Sequence, residues 1–274
     1  MLKKLLSISL VLISYTALAL PIYSPSQMQV IHERGYLRVA ILNESLAPFT
    51  IVNSDTSLTG IDIEMAHEAA AILGVKVQFD RSAKTYEELL QRVYDKKDDI
   101  AISGIIRTPT RAQSVQFSSP YYTYPIGLLV NRIKYDKLNG NLFTAFNAAK
   151  IKIGVLKDGA FVGYVEYLYP KAKLVLYESI AQMLQDVELD KIDASMMDEL
   201  VVRKWLSEKP ERALRTRYLV IPNYHAAYSI ATSYDYQKFG QWLNEFIDEA
   251  KAIGVTERLL KKYTQDENNA ATPH

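Results

Sequence analysis

The chain has 274 residues, with 32 lysines and arginines against 31 aspartates and glutamates, and it contains no cysteine. The balanced charge offers no excess that nucleic acid or an anionic membrane would draw on. The lack of cysteine removes disulfides and any lipid-modified cysteine anchor, and the four scattered histidines (His32, His67, His225, His274) show no zinc spacing, so neither metal nor other cofactor is expected.

The chain opens with Lys3 and Lys4, an apolar run from Leu5 to Ile13, and Ala17-Leu18-Ala19 in the small-x-small pattern of a cleavage site. Residues 1–19 therefore read as a signal peptide, with the mature chain starting at Leu20. The run is too short to span a bilayer, and no later stretch approaches the ~20 apolar residues that spanning needs. An exported soluble protein of the bacterial periplasm is expected, long enough for a large core in one or two domains.

Tyr36 to Leu42 (YLRVAIL) is dominated by aromatic, β-branched and aliphatic residues and reads as the first strand, ending at Asn43. Gly60-Ile61-Asp62 leads into a helix whose Met65, Ala66, Ala69, Ile72 and Leu73 share a face, with Gly74 as its stop and His67 as a helix-face residue. Val75 to Asp80 is the second strand. Thr85-Tyr86-Glu87-Glu88 has the pattern of a capping box before Leu89, Leu90, Val93 and Tyr94 at helical spacing.

Asp99 to Ile106 carries no charge after Asp99 and reads as a buried parallel strand. Thr108 at an N-cap and Pro109 at the first helical position then predict a helix with Arg111 in its first turn. A cation is misplaced at the positive end of a helix. Its presence there points to an anion between the guanidinium and the free N–H groups, the competing reading being a surface arginine paired with a nearby carboxylate.

The same order of elements recurs downstream. Ile151 to Leu156 reads as strand, Phe161 to Leu168 as helix and Lys173 to Tyr177 as strand. Ser179-Ile180-Ala181-Gln182 is a second capping-box pattern, opening a helix with Met183, Leu184 and Val187 inward, and Ile192 to Met197 is a strand ending at Asp198. Two β-α-β-α-β halves favour two parallel sheets. Ligands of such sheets bind beyond the carboxyl ends of strands, which here supply Asn43, the loop from Gly104 to Arg111, Gly159 and Asp198. Across a cleft, Arg111 and Asp198 would meet the two poles of a zwitterion.

Ser118 to Pro125 and Ile221 to Tyr228 are aromatic-rich extended stretches suited to two lobe-connecting segments, which implies a hinge. The expected division is residues 20–122 with 227–265 as one lobe and 123–226 as the other. The run from Tyr236 to Ile253 has a helical stripe of Phe239, Trp242, Leu243, Phe246, Ile247 and Ala250 that should pack on the first lobe, Trp242 included. Residues 266–274 read as a disordered tail.

Together Gly60-Ile61-Asp62, Tyr86 to Leu90, Asp99-Ile100-Ala101, Thr108-Pro109-Thr110-Arg111, Phe117 to Tyr122 and Asp193 to Asp198 resemble the motifs of the family 3 solute-binding proteins, over roughly Val30 to Tyr263. These are periplasmic receptors of polar amino acid ABC importers. The resemblance implies a type II periplasmic-binding-protein fold, α/β, with two lobes joined by two crossover segments and the ligand in the cleft. It implies that Arg111 grips a ligand carboxylate, that Asp198 receives the ammonium, that Tyr86 lines the ligand side chain and that the backbone of Gly104, with Ser103 beside it, approaches the ligand. The implied partners are a small amino acid-like molecule and an inner-membrane permease, with the receptor acting as a monomer.

Four positions depart from the pattern. Ile106 and Ala160 stand where many relatives carry hydroxyl donors to the carboxylate, Asn43 near where several carry an acid, and Leu46 where an aromatic is common. A lost donor to a buried carboxylate costs on the order of 1 to 3 kcal/mol unless water replaces it, which points to a less polar amino acid or another small carboxylate. An alternative within the resemblance is a periplasmic dehydratase of prephenate or arogenate, with Glu44 as general acid. A sensor or adhesin role has no fused segment in its favour.

Overall fold

The computed structural model describes residues 26–135 and 141–264. The expected signal peptide and the expected tail both lie outside the described residues.

Helix α1 (Gln27–Arg34) precedes β1 (Tyr36–Leu42), and a hairpin of β2 (Ile51–Val52) and β3 (Leu58–Thr59) leads to α2 (Ile61–Ile72), β4 (Lys76–Ala83), α3 (Tyr86–Tyr94) and β5 (Ile100–Ala101). After β6 (Gln116–Phe117), the long strand β7 (Tyr122–Asn131) carries the chain into a second unit. That unit holds α4 (Arg132–Tyr135), α5 (Leu142–Ala145), β8 (Lys152–Leu156), α6 (Phe161–Leu168), β9 (Lys173–Tyr177), α7 (Ile180–Glu188), β10 (Ala194–Asp198) and α8 (Glu199–Glu208). Strand β11 (Thr216–Tyr228) returns, and β12 (Ala231–Thr232), α9 (Gln237–Ala252) and α10 (Val255–Thr264) follow.

Two five-stranded sheets result, ordered β4-β1-β5-β12-β6 and β11-β7-β10-β8-β9. In each, the first strand of the half stands between the second and third and pairs parallel with both. The antiparallel additions, which the strand-helix alternation did not foretell, come from the crossing segments. Strands β7 and β11 pair with each other from Tyr122 opposite Tyr228 to Asn131 opposite Thr216, with a register shift between Val220 and His225. The two lobe connections are thus one hydrogen-bonded ribbon.

Strand β1 is apolar on both faces because both are covered. Val39 and Ile41 join the large core beneath α2 and α9, whereas Ala40 and Leu42 face Leu89, Leu90 and Val93 of α3. Trp242 stacks between Phe239 and Phe246 on α9, as its spacing predicts. His67 is exposed on its helix with Phe79 edge-on to it.

Several local expectations need correction. The strand read over Asp99 to Ile106 keeps only Ile100–Ala101 in the ladder, because the chain turns away at Ser103 and Gly104, the latter at φ +57°. The helix read after Thr108-Pro109 is a three-residue 3-10 turn, Arg111–Gln113. Thr108 Oγ1 does accept the Arg111 N–H at 3.2 Å, but so short a turn has no dipole to attract an anion. Both capping boxes are half formed. Thr85 and Ser179 cap as expected, whereas Glu88 reaches the N–H of Lys84 and Gln182 pairs with Asp186. Tyr94, at helical spacing with the buried face of α3, is 57% exposed.

Candidate functional site

Arg111, from a 3-10 turn of the first lobe, and Asp198, at the end of a strand of the second, line the same cavity. Its walls include Leu46, Phe49, Tyr86, Gly104 and Ile106 from the first lobe, Leu156, Ala160, Phe161 and Met197 from the second, and Tyr228 from the ribbon. The volume is only about 20 Å³. Any amino acid is larger, so a ligand enters only if the lobes part about the ribbon. On its outer side, Arg111, Gly159 and Ala160 also border an open groove of about 1110 Å³ with Tyr94, Tyr164 and Tyr167 on its walls.

The guanidinium of Arg111 donates to the Ile106 carbonyl at 2.9 Å and, across the cleft, to the Asp158 carbonyl at 3.0 Å. It lies over the Tyr86 ring, 4.8 Å from its centroid. Carbonyl oxygens and a ring face solvate a cation without neutralising it. Among the described residues Arg111 forms no ion pair, and burial lowers its pKa, opposed only by Tyr86. A cation held so, in a cavity and without a counter-charge among the described residues, could pair with an anion.

Asp198 ends β10 and caps α8, Oδ1 accepting the Val201 N–H at 3.0 Å. It is 1% exposed, and burial raises its pKa against the pull of that N–H. No basic residue pairs with it among the described residues, so a ligand ammonium would complete it. Tyr86 senses both poles: Arg111 lowers and Asp198 raises the pKa of its phenol, which burial itself pushes well up. The Tyr86 hydroxyl donates to the Ser103 carbonyl at 3.2 Å.

The structure brings Arg111, Asp198, Tyr86, Gly104, Ile106, Leu46 and Ala160 together around the cavity and leaves Asn43 and Ser103 behind its wall. Asn43 is tied through its backbone to Ala83 and Arg81, and the Ser103 hydroxyl accepts the Leu42 N–H at 3.2 Å. Glu44, considered as a general acid, is exposed and lines neither cavity.

Sequence reasoning missed two residues here, one behind the cavity wall and one in it. Asp62, fully buried in the first turn of α2, accepts the Gly104 N–H at 2.5 Å and the Tyr121 hydroxyl at 2.7 Å. Burial pushes its pKa up to about 7, against the effect of those two donors. Its place in the Gly60-Ile61-Asp62 motif was the available signal. Tyr228 is the other, and it was read only as a connecting residue.

The sequence pattern of the bacterial extracellular solute-binding proteins, family 3, matches residues 37–266. The chain belongs to this family. The ABC transporter arginine-binding protein 1 of Escherichia coli (strain K12) is 24% identical over 217 residues, 79% of this chain and 86% of that protein. Among solved structures, the ancestral amino acid-binding protein AncCDT-1, a precursor of cyclohexadienyl dehydratase, is similar with a TM-score of 0.75 and 27% identity, over 88% of this chain and all of that one. The amino acid ABC transporter substrate-binding protein AbpA from Streptococcus pneumoniae, bound to L-arginine, shares the fold with a TM-score of 0.74 and 23% identity, over 86% and 98% of the two chains. This family 3 protein is therefore a two-lobed α/β solute-binding protein with its cavity at the lobe interface.

Proposed function

We propose that this family 3 protein captures the zwitterionic head of a small apolar L-amino acid and delivers it, in the periplasm, to the permease of an ABC importer. The observation that carries the reading is the placement of an unneutralised Arg111 and a buried Asp198 on opposite walls of one cavity. Arg111 takes the carboxylate and Asp198 the ammonium. The lobes, rotating about the ribbon, close over the ligand.

The side-chain class follows from the rest of the wall. Leu46, Phe49, Ile106, Leu156, Phe161, Ile180 and Met197 are apolar, and Asp198 is the only carboxylate among the cavity residues. A cationic side chain such as that of arginine, named for two of the relatives above, would find no second acid and would lose its hydration without return. An apolar side chain gains about 25 cal/mol for each Å² it buries.

Calorimetric titration of the protein, freed of any co-purified ligand by unfolding and refolding, with L-leucine, L-phenylalanine and L-arginine separates the outcomes. Binding of the first two, with L-arginine at least tenfold weaker, is expected. Preference for L-arginine would overturn the side-chain assignment. Silence from all three would overturn the zwitterion reading.

A further inference from the structure

Several buried hydroxyls make no hydrogen bond of good geometry, among them those of Thr50, Tyr169, Ser195, Tyr228 and Ser229. Of these, only Tyr228 belongs to a residue lining the inner cavity with Arg111 and Asp198. An unmade hydrogen bond on a buried O–H is costly. Nothing in the packing of the ring requires the oxygen. It lies 4.7 Å from Phe49 between centroids, with Tyr124 and Tyr121 further out at 6.4 and 6.5 Å, contacts that phenylalanine would keep.

The residue stands where both poles of the site meet the ribbon. Its backbone forms an antiparallel bridge with Ile106, whose carbonyl accepts from Arg111. Its own carbonyl accepts the Tyr121 N–H from the other crossing segment at 2.9 Å. The Asp198 carboxylate acts on its phenol both by charge and as a nearby acceptor for its hydrogen, and with burial this keeps the phenol protonated. A neutral phenol beside a carboxylate can lend a lone pair to an N–H donor while turning its own hydrogen toward the carboxylate.

We infer that the Tyr228 hydroxyl is a ligand-binding group, taking the ammonium of the bound amino acid jointly with Asp198. The inference rests on the zwitterion reading above and adds to it a polar contact from the crossover ribbon. Because that contact lies at the end of β11, in the ribbon that joins the lobes, the ligand engages the segment about which the lobes turn. Capture and closure then share one residue.

Tyr228→Phe gives the test, because the inference predicts a large effect on affinity and a small one on stability. The probes are whichever of L-leucine and L-phenylalanine binds the wild-type protein more tightly, and its 2-hydroxy acid analogue, which lacks the ammonium. The Kd for the amino acid should rise on the order of ten- to a hundredfold. The weaker Kd for the hydroxy acid should change less than threefold, and the ligand-free Tm should stay within a few degrees of the wild type. Tyr121→Phe, which removes the bond to Asp62, serves as a comparison that should lower the Tm. Unchanged amino acid affinity, an equal loss for the hydroxy acid, or a fall in the ligand-free Tm as large as that of Tyr121→Phe would each overturn the inference. Failure of both amino acids to bind the wild-type protein would defeat the zwitterion reading itself, and this inference with it.

Discussion

The guanidinium of Arg111 reaches across the cleft to the backbone carbonyl of Asp158 at 3.0 Å, so the cation assigned to the ligand also ties the two lobes together. Asp158 presents that carbonyl from a left-handed conformation, φ +58°, which aspartate tolerates better than most residues. Under the proposed reading, a ligand carboxylate arriving at Arg111 would meet a donor already aimed at the interface.

Asp198 caps α8 as well as facing the cavity, and the two roles separate in Asp198→Asn. Asparagine is as good an N-cap as aspartate, so Tm should change little, while the charge that attracts an ammonium is gone. An affinity loss of at least tenfold with Tm held within a few degrees is the expected result. Retained affinity in a calorimetric titration would remove Asp198 from the site.

Gly104 is needed for its missing side chain. At φ +57°, a Cβ there would stand 2.8 Å from Leu46 Cδ2, a side chain that can swing, but only at the expense of the cavity it lines. Gly104→Ala is predicted to fold with a loss of roughly 1 kcal/mol and to bind at least tenfold more weakly. Gly60→Ala puts its Cβ 2.3 Å from the Phe49 carbonyl oxygen, which is backbone. That variant should lose far more stability, and a higher Tm for Gly60→Ala than for Gly104→Ala would contradict the packing argument.

Asp62 gives a pH signature. Its pKa in the folded protein, about 7, lies above the ordinary carboxylate value of 3.8 because burial disfavours its charge. Between these values the folded state holds more protons than the unfolded one, so this group's contribution to stability declines as pH rises. The contribution is fully present below about pH 4 and levels off above about 7. Asp62→Asn lacks the titration and can still accept from Gly104 while donating to Tyr121. The Tm of wild type minus that of Asp62→Asn should therefore fall from pH 4.5 to 7, and a flat difference would refute the assignment.

Much of the fold was legible because hydrophobic pattern and caps act locally. The bounds of β1, α6 and β9 follow from their sequences alone. What sequence patterns missed depends on tertiary geometry. The end of β5 is decided by Gly104 being drawn toward Asp62, forty-two residues distant in the chain. Arg111 was found for a reason that fails, a helix dipole that the short turn does not supply, yet it stands in the cavity because Ile106 and Asp158 hold it there. Tyr228 could not be singled out, since its bridge to Ile106 depends on the register of strands that only the folded ribbon sets.

The central claim, capture of an amino acid zwitterion by Arg111 and Asp198, is tested most directly by a thermal-shift panel of L-amino acids on wild-type protein and Arg111→Ala in parallel. A ligand at a hundredfold excess over its Kd adds about 2.7 kcal/mol, a rise in Tm of roughly 5 to 10 °C for a chain of this size. The account predicts that apolar L-amino acids produce this shift in the wild-type protein and none in Arg111→Ala, which should still fold cooperatively, with a ligand-free Tm lowered by the loss of its bonds to Ile106 and Asp158. An undiminished shift in Arg111→Ala would contradict it.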